Sequence, residues 1–405
     1  MKRIRSVLAA LALAVPLAVP ASLQAFAVST GVIVINGDSG FAKCGCVSSG
    51  TGTASDPYVI GNVTIQSDTT PGISITGTSK SFVLDHPTVH TNGLADGILL
   101  SSVTGPAWIN HANVDTPGSL AVAAVNNGIE LINTSGVTVT GDSINTNGGW
   151  GVRLENSSHN VITFMNLNHN GLSNPDSVGS ASISFSDPSN PWIAGVSGNA
   201  TGGLLIKGGS GNTVSDDLFN EDAYAGFVLV NTSGNTVQRV NVRYPDYFGG
   251  IVESSDGNTL DTVSLQTADF DGLLVRASNN NTFTNNTYSA NGPIGNEWNA
   301  HVVPYFIAGA YVGWGSDHNT FIGNNGNFGN TGPDLVLDDG TLLTKANEGF
   351  FFNGSLQSNN PLNFLSTYRS LGVKSLAAGS HNTVCGNSFA PNYWYPSSLN
   401  ANSAC

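Results

Sequence analysis

A 23-residue repeat runs through the middle of this 405-residue chain. Each copy begins with a glycine that is followed by alternating apolar residues, and the copies align without gaps. Gly203, Gly226, Gly249 and Gly272 start successive copies at a constant spacing, and a related copy starts at Gly151. A unit this short cannot bury a hydrophobic face by itself, so it is stable only when neighbouring copies stack.

An asparagine column accompanies the repeat. The asparagine stands nine residues after each of these glycines, and the same phrase occurs twice more toward the C terminus: Asn160, Asn212, Asn235, Asn258, Asn281, Asn319 and Asn382. Short alternating strands with Asn-, Gly- and Ser-rich turns predict the coils of a parallel β-solenoid. The asparagines would lie about 4.8 Å apart and exchange amide hydrogen bonds along the stack. We therefore interpret them as turn-forming residues rather than ligands.

The repeat predicts an all-β protein, a parallel β-helix of about a dozen coils. Residues 28–56 are expected to cap the first coil, because an open solenoid end exposes strand edges. Residues 57–330 form the expected core, with insertions at 173–202 and 293–309, and residues 331–405 hold the final coils, another insertion and a C-terminal cap. Long loops on a rigid scaffold often carry binding function.

The first 27 residues have the pattern of a secretory signal peptide. Lys2, Arg3 and Arg5 precede an apolar run, and Ala25-Phe26-Ala27 matches a small-residue cleavage site. No later stretch is long and apolar enough to cross a bilayer as a helix. We expect a secreted protein, extracellular or periplasmic, with no membrane span in the mature chain.

The composition is acidic and poor in charge. Charged residues make up 10% of the chain, and the formal net charge is −14. Such a chain has no general electrostatic attraction to nucleic acid or to an anionic membrane. The low charge also argues against coiled coils and helical bundles, which use Glu and Lys heavily.

Four cysteines are expected to lie in an oxidising compartment. Cys385 and Cys405 close a short C-terminal loop and are predicted to form a disulfide. Cys44 and Cys46 are only two residues apart, so a mutual bridge would be strained, and the pair could instead hold a metal. The two ends of such a long solenoid lie too far apart for either residue to reach Cys385.

A column of acidic residues precedes the repeat glycines. Asp246 and Asp269 are one repeat apart, and Glu221 and Asp222 stand in a neighbouring turn. Carboxylates on adjacent coils lie about 5 Å apart, so Asp246 and Asp269 could act as a catalytic acid/base pair. The four residues could also bind calcium through their oxygens. Alternatively, they are turn residues that point into water.

Aromatic residues suggest a surface on which sugars stack. Tyr224, Tyr247 and Phe270 follow one another at the repeat spacing, and Trp298 and Trp314 lie in and just after the second insertion. We propose Tyr224, Tyr247, Trp298 and Trp314 as substrate-binding residues. The alternative is that these rings fill the solenoid or seal the loops onto it.

One ion pair is predicted on the outer surface of the repeat. Glu253 and Arg276 are one repeat apart and fall at an outward position of the strand. If the pair is exposed, it contributes well under about 1 kcal/mol to stability.

The phrase Gly52-Thr-Ala-Ser-Asp-Pro-Tyr-Val-Ile60, with Gly72-Ile-Ser-Ile-Thr76 and Ser81-Phe-Val-Leu84, resembles the start of secreted β-helix repeat proteins of the NosD-type periplasmic copper-binding group. The resemblance implies a right-handed, single-stranded parallel β-helix, the fold of pectate lyases and related enzymes. Many such relatives act on acidic polysaccharides. Copper is disfavoured here, because Met1 and Met165 are the only methionines and the eight histidines show no paired spacing.

Two functions remain open. The first is a secreted β-helix that binds, and possibly cleaves, a polysaccharide along one face, as a polysaccharide lyase or glycoside hydrolase. The second is a non-enzymatic cell-surface or matrix protein with a structural or adhesive role. The polygalacturonase phrases Gly-His-Gly and Asn-Thr-Asp are missing, which favours the second, whereas the acidic column favours the first.

Overall fold

A computed structural model describes residues 28–117, 126–171, 201–245, 248–268, 271–291, 308–313, 315–330, 334–337, 350–352, 355–357, 381–389 and 394–395.

The first half of the chain contains β1 (Val28–Thr30), β2 (Ile33–Asn36), α1 (Gly40–Lys43), β3 (Tyr58–Gly61), β4 (Val63–Ser67), β5 (Ile73–Thr78), β6 (Phe82–Asp85), β7 (Thr88–Thr91), β8 (Ile98–Val103), β9 (Ala107–Asn110), β10 (Asn113–Asp115), β11 (Ile129–Ile132), β12 (Val137–Thr140), β13 (Ser143–Asn145), β14 (Val152–Glu155), β15 (Val161–Thr163) and β16 (Asn166–Asn168).

The second half contains β17 (Gly202–Lys207), β18 (Thr213–Ser215), β19 (Leu218–Asn220), β20 (Ala225–Val230), β21 (Thr236–Gln238), β22 (Asn241–Arg243), β23 (Phe248–Glu253), β24 (Thr259–Asp261), β25 (Ser264–Gln266), β26 (Leu273–Arg276), β27 (Thr282–Thr284), β28 (Thr287–Ser289), β29 (Ala310–Gly313), β30 (Thr320–Ile322), β31 (Asn325–Phe328), β32 (Leu335–Leu337), β33 (Phe350–Phe352), β34 (Ser355–Gln357), β35 (Thr383–Cys385) and β36 (Trp394–Tyr395).

Three long sheets form the faces of a parallel β-helix. Sheet A has the order β1-β4-β7-β10-β13-β16-β19-β22-β25-β28-β31, sheet B has the order β2-β5-β8-β11-β14-β17-β20-β23-β26-β29-β32-β36, and sheet C has the order β3-β6-β9-β12-β15-β18-β21-β24-β27-β30-β35. A typical coil passes from sheet B to sheet C, then to sheet A, and then back to sheet B. The twelve strands of sheet B agree with the predicted dozen coils.

The predicted register is confirmed. Leu204 pairs with Phe227, and Gly250 with Leu273, so successive strands of sheet B lie parallel and are offset by one repeat. Within the described residues, the antiparallel strand pair β33–β34 departs from this pattern.

The hydrophobic core lies inside the coil, and the repeat glycine is needed to close it. Residues such as Ile129, Leu131 and Leu229 are completely buried, as their inward positions predict. A Cβ atom on Gly226 would lie 2.2 Å from Cγ1 of Val242 and 2.8 Å from the carbonyl oxygen of Gly249. Any larger residue would therefore clash with sheet A and with the next coil.

The asparagine ladder is also confirmed. Oδ1 of Asn235 accepts hydrogen bonds from the backbone N–H and from Nδ2 of Asn212, both at 3.0 Å. The same arrangement links each member to the next: Asn160, Asn212, Asn235, Asn258, Asn281, Asn319 and Asn382. All seven side chains are buried, which fits the turn-forming role that the sequence predicts.

The N-terminal region combines two strands with a short helix. Strands β1 and β2 pair with β4 and β5 and are therefore part of the sheets of the solenoid. Helix α1 then places Phe41 at the end of the core, where its ring stacks on Tyr58 with 4.7 Å between centroids. Phe41 thus shields the apolar interior of the first coils from water.

Candidate functional site

The outer face of sheet A is an open polar surface. Its strands bury their central residues and turn the flanking ones outward, and those outward residues are half-buried or exposed. Apart from Leu218, they are polar: Thr64, Gln66, Thr88, His90, Asn113, Asp115, Ser143, Asn145, Asn166, Asn168, Asn220, Asn241, Arg243, Ser264, Gln266, Thr287 and Ser289. Amides and hydroxyls both donate and accept hydrogen bonds, so this surface can bind a polar, uncharged ligand.

The outer face of sheet B is closed by comparison. From β17 onward most of its outward residues are apolar and buried, and Leu205, Val228, Ile251, Leu274 and Tyr311 are examples. This part of sheet B therefore offers far less exposed surface than sheet A.

Glu253 and Arg276 lie on the same closed face. Their side chains are only 6% and 3% exposed, with Oε1 of Glu253 2.5 Å from Nη2 of Arg276. The predicted pair exists, but the expected surface location is wrong, because the outer face of sheet B is covered in these coils. A buried pair costs much more to break by removing one partner than an exposed pair does.

A contact between a histidine and a glutamate lies at the corner between sheet A and sheet B. Nε2 of His169 is 2.6 Å from Oε2 of Glu221, and the two side chains are 48% and 49% exposed. Both residues have positive φ angles, of 53° and 55°. Each follows a strand of sheet A, β16 or β19, and the turn directs both side chains outward.

Tyr244 continues this column by one coil. It stands one repeat after Glu221, also has a positive φ, and is 54% exposed. At the opposite edge of sheet A, Phe164 is 64% exposed. Within the described part of the chain, these are the two large aromatic residues that are more than half exposed, and they flank the same face.

The predicted calcium ligands Glu221 and Asp222 point to different environments. Glu221 is exposed, whereas Asp222 is buried and accepts hydrogen bonds from the backbone N–H of Asn170 at 2.9 Å and from its Nδ2 at 3.2 Å. Asp222 therefore continues an internal polar ladder. The two residues do not form one surface site.

Tyr224 is not displayed to a substrate. Its side chain is buried, and its ring packs edge-on against Phe248 with 5.7 Å between centroids. Tyr224 therefore fits the alternative interpretation of the aromatic column, in which the rings fill the solenoid. The exposed ring at this corner is Tyr244, and its repeat spacing from Glu221 is the signal that could have identified it.

Several predicted site residues lie outside the described residues, namely Asp246, Tyr247, Asp269, Trp298 and Trp314. In chain order, residues 246–247 and 269–270 connect a strand of sheet A to the next strand of sheet B, as residues 172–200 and 292–307 do. They belong to the same connection of the coil as Glu221. Asp271, which follows directly, is buried and accepts a hydrogen bond from the Ala308 N–H at 2.8 Å. Burial raises the pKa of Asp271 well above its ordinary value.

A second group of charges lies where sheet B begins to be covered. Arg153 contacts both Glu130, at 2.6 Å, and Glu155. Burial, together with the neighbouring Asp96, raises the pKa of Glu130 to about 8, although Arg153 opposes the shift. Perturbed carboxyl groups of this kind occur at catalytic sites and also in structural ion-pair networks.

Cys44 and Cys46 form a disulfide with each other. The strain expected for such a short loop does not prevent the bridge, and both thiols are thereby unavailable to a metal. Cys385 is buried at the end of β35, and its predicted partner Cys405 lies outside the described residues. The Cys385–Cys405 pairing stays a prediction.

Comparisons with known proteins agree with this architecture. The family model described as "Right handed beta helix region" matches residues 194–341. The solenoid is a right-handed parallel β-helix, as the resemblance in the sequence implies. The narrower NosD-type assignment stays a prediction. No curated protein matches the chain in sequence.

Three solved structures illustrate the likeness. The A-module of mannuronan C-5 epimerase AlgE6 from Azotobacter vinelandii is 14% identical, with a TM-score of 0.50 and coverage of 80% of this chain and 77% of that one. The AlgE4 A-module from the same organism is 10% identical, with a TM-score of 0.44 and coverage of 93% and 91%. Tailspike protein 2 of the Escherichia coli O157:H7 bacteriophage CAB120 is 11% identical, with a TM-score of 0.41 and coverage of 66% and 36%. At these identities the likeness concerns the fold.

Proposed function

We propose that this protein is an exported β-helix that binds a neutral polysaccharide along the outer face of sheet A. The observation that carries the proposal is the placement of Phe164 and Tyr244, the two exposed aromatic rings, at opposite edges of one amide-lined face. Their strands β16 and β22 are two coils apart, which is about 10 Å along the axis. Two rings at this separation can stack on different sugars of one chain.

The chemistry of the face favours a neutral polymer. Arg243 and His90 are the basic residues among its outward side chains, and Nδ1 of His90 is 2.5 Å from Oδ1 of Asp115. The whole chain carries a formal charge of −14. A polyanion would be repelled by this charge, whereas sugar hydroxyls can exchange hydrogen bonds with the amides.

Export is supported by the leader pattern of residues 1–27. Among the described residues, no helix is long and apolar enough to cross a membrane. The Azotobacter module, a mannuronan C-5 epimerase, is a protein of this fold that acts on a polysaccharide. That is an analogy at the level of fold, and the binding face is argued from the residues of this chain.

Affinity measurements on aromatic variants test the binding proposal. We expect the wild-type chain to bind neutral polysaccharides, such as a β-glucan or a galactomannan, better than alginate or pectate in low salt. Tyr244→Ala and Phe164→Ala should each weaken binding by about tenfold, since each removes a stacking surface. The control is Ile322→Ala, which shortens an exposed apolar side chain on sheet C and should leave affinity unchanged.

Preference for the acidic polymers would overturn the neutral-ligand proposal. Equal affinity of the wild-type chain and the three variants for the polysaccharide would show that the outer face of sheet A is not the binding site. Binding to none of the polysaccharides would leave the structural or adhesive role as the better explanation.

Catalysis is a separate part of the proposal and rests on Asp246 and Asp269. Their spacing of one repeat, in the segments that follow β22 and β25, supports an acid/base pair. The double variant Asp246→Asn/Asp269→Asn should abolish release of sugar fragments while binding persists. If these residues hold calcium instead, the variant should lose a calcium-dependent rise in Tm. A variant that matches wild type in turnover and in calcium response would assign both residues to solvated turns.

A further inference from the structure

A cluster of two histidines and one aspartate lies at the corner between sheets B and C near the C-terminal end. Asp317 and His318 precede β30, and His381 precedes β35. Strands β30 and β35 pair in parallel, with Thr320 opposite Thr383, so residues far apart in the chain become neighbours. The sequence offered no paired histidine spacing, because a long insertion separates the two coils.

The three side chains converge on a small volume. Oδ2 of Asp317 is 3.0 Å from Nδ1 of His381 and 3.3 Å from Nδ1 of His318. The imidazole rings stack with 4.6 Å between centroids. One ligand atom from each residue lies within 4.8 Å of the other two. Neighbouring ligands in a tetrahedral zinc site are about 3.3 Å apart, given bonds of about 2.0–2.1 Å.

The carboxylate is oriented by the backbone. Oδ1 of Asp317 accepts hydrogen bonds from the N–H groups of His318, at 2.9 Å, and His381, at 2.8 Å. Oδ2 is thereby directed toward the two rings. A carboxylate whose orientation is fixed in this way by backbone N–H groups is preorganised as a metal ligand.

A second histidine stack in the chain provides an internal comparison. The rings of His86 and His111 stack with 4.7 Å between centroids, and Nδ1 of His86 is 3.0 Å from Oδ1 of Asp85. Across the described residues, Asp317, His318 and His381 are the only three histidine, cysteine or acidic residues whose ligand atoms all lie within 4.8 Å of one another. A histidine stack beside a carboxylate is therefore insufficient, and the convergence of three atoms distinguishes the C-terminal cluster.

From this geometry we infer that Asp317, His318 and His381 bind a zinc ion that ties the last coils of the solenoid together. Two imidazoles and one carboxylate suit zinc, whereas calcium prefers a shell of oxygens. The histidine side chains are 57% and 63% exposed, so water can complete the coordination. The ion would link two adjacent coils across the insertion that precedes His381 and would stabilise their pairing by mass action.

Metal titration of the full chain tests the inference. We expect zinc to bind one equivalent per chain by calorimetry and to raise Tm in a saturable way, with calcium producing no such effect through this cluster. Cobalt should give the visible absorption of a tetrahedral site. His318→Gln and His381→Gln should each weaken zinc binding by at least tenfold, since each removes a ligand. His111→Gln, in the comparison stack, should leave it unchanged.

The metal-free Tm of each variant serves as the folding control, because both ligand histidines are exposed and their loss should barely change it. Absence of zinc binding in the wild-type chain would overturn the inference. Zinc binding of equal strength in the His318 and His381 variants would place the ion elsewhere and would also overturn it.

Discussion

Two aspartates occupy positions that asparagines hold elsewhere in the corner between sheets C and A. Oδ1 of Asp217 accepts a hydrogen bond from the Met165 N–H at 2.7 Å, and Asp142 accepts one from Ala112 at 2.6 Å. In later coils Asn286 fills this position, and its Nδ2 donates to the carbonyl oxygen of Leu260 at 3.1 Å. The Oδ2 atoms of both aspartates are buried without a hydrogen-bond partner. Burial raises the pKa of both carboxyl groups, which favours the neutral form that most resembles the asparagine amide.

Stability should fall as pH rises, because these carboxyl groups must ionise in a buried site. Burial raises the pKa of Asp217 to about 8, above the ordinary value of 3.8. The neutral group is accommodated fully at low pH, and its contribution to the free energy of unfolding is lost progressively between about pH 4 and pH 8. Asp217→Asn should therefore raise the free energy of unfolding at pH 8 by about 1–3 kcal/mol and flatten the pH profile.

Urea unfolding at pH 5, 7 and 9 measures this effect. Asp68→Asn changes an exposed aspartate and should leave the profile as in wild type. Parallel profiles for wild type and Asp217→Asn would contradict the assignment of a neutral buried group.

The asparagine ladder is the element that holds consecutive coils in register. Asn235 accepts two hydrogen bonds from Asn212 and donates two to Oδ1 of Asn258, through its backbone N–H and Nδ2 at 2.9 Å each. Every buried turn is thus linked to the coils before and after it. Because a solenoid unit contacts only its neighbours, a defect in one member cannot be shared with distant coils.

Asn235→Ala should destabilise the protein by about 2–4 kcal/mol, since it leaves buried N–H groups without acceptors. The neighbouring Asn231 is exposed and has a positive φ, so Asn231→Gly is the matched control and should change stability by less than about 1 kcal/mol. Denaturant midpoints of the wild-type chain and the two variants measure this difference in stability. An equal loss in both variants would mean that the ladder has no special role.

At the scale of the whole molecule, the two ends of the solenoid are chemically independent. Strands β2 and β36 are the first and last strands of sheet B, with ten strands between them. This places the ends about 50 Å apart, which is far beyond disulfide distance. The Cys44–Cys46 bridge is consistent with this separation, since each residue finds its partner locally.

Peptide mapping of the non-reduced protein should therefore recover Cys44 linked to Cys46 and Cys385 linked to Cys405. Reduction of the C-terminal bridge alone should loosen the last coils and leave the N-terminal ones folded, because contacts in a solenoid are local. A peptide that joins Cys44 to Cys385 would contradict both the pairing and the length of the solenoid.

The sequence alone determined the fold, because each glycine, each inward residue and each ladder asparagine of the regular coils recurs at the same interval. Equal units of this kind bury their apolar residues by stacking as the coils of a parallel β-solenoid. Periodicity therefore predicted the parallel sheets, their register and the buried ladder. Even the existence of the Glu253–Arg276 pair followed from spacing.

Only the tertiary structure decided which faces are open and which side chains converge. Glu253 and Arg276 are buried because the outer face of sheet B is covered, and Tyr224 is buried whereas Tyr244 is displayed. Successive residues such as Glu221 and Asp222 diverge because a single positive φ turns one outward. Asp317 and His381 meet because strand pairing crosses an insertion of irregular length. Periodicity describes contacts between equal repeats, and it contains no information about where unequal insertions bring the chain back.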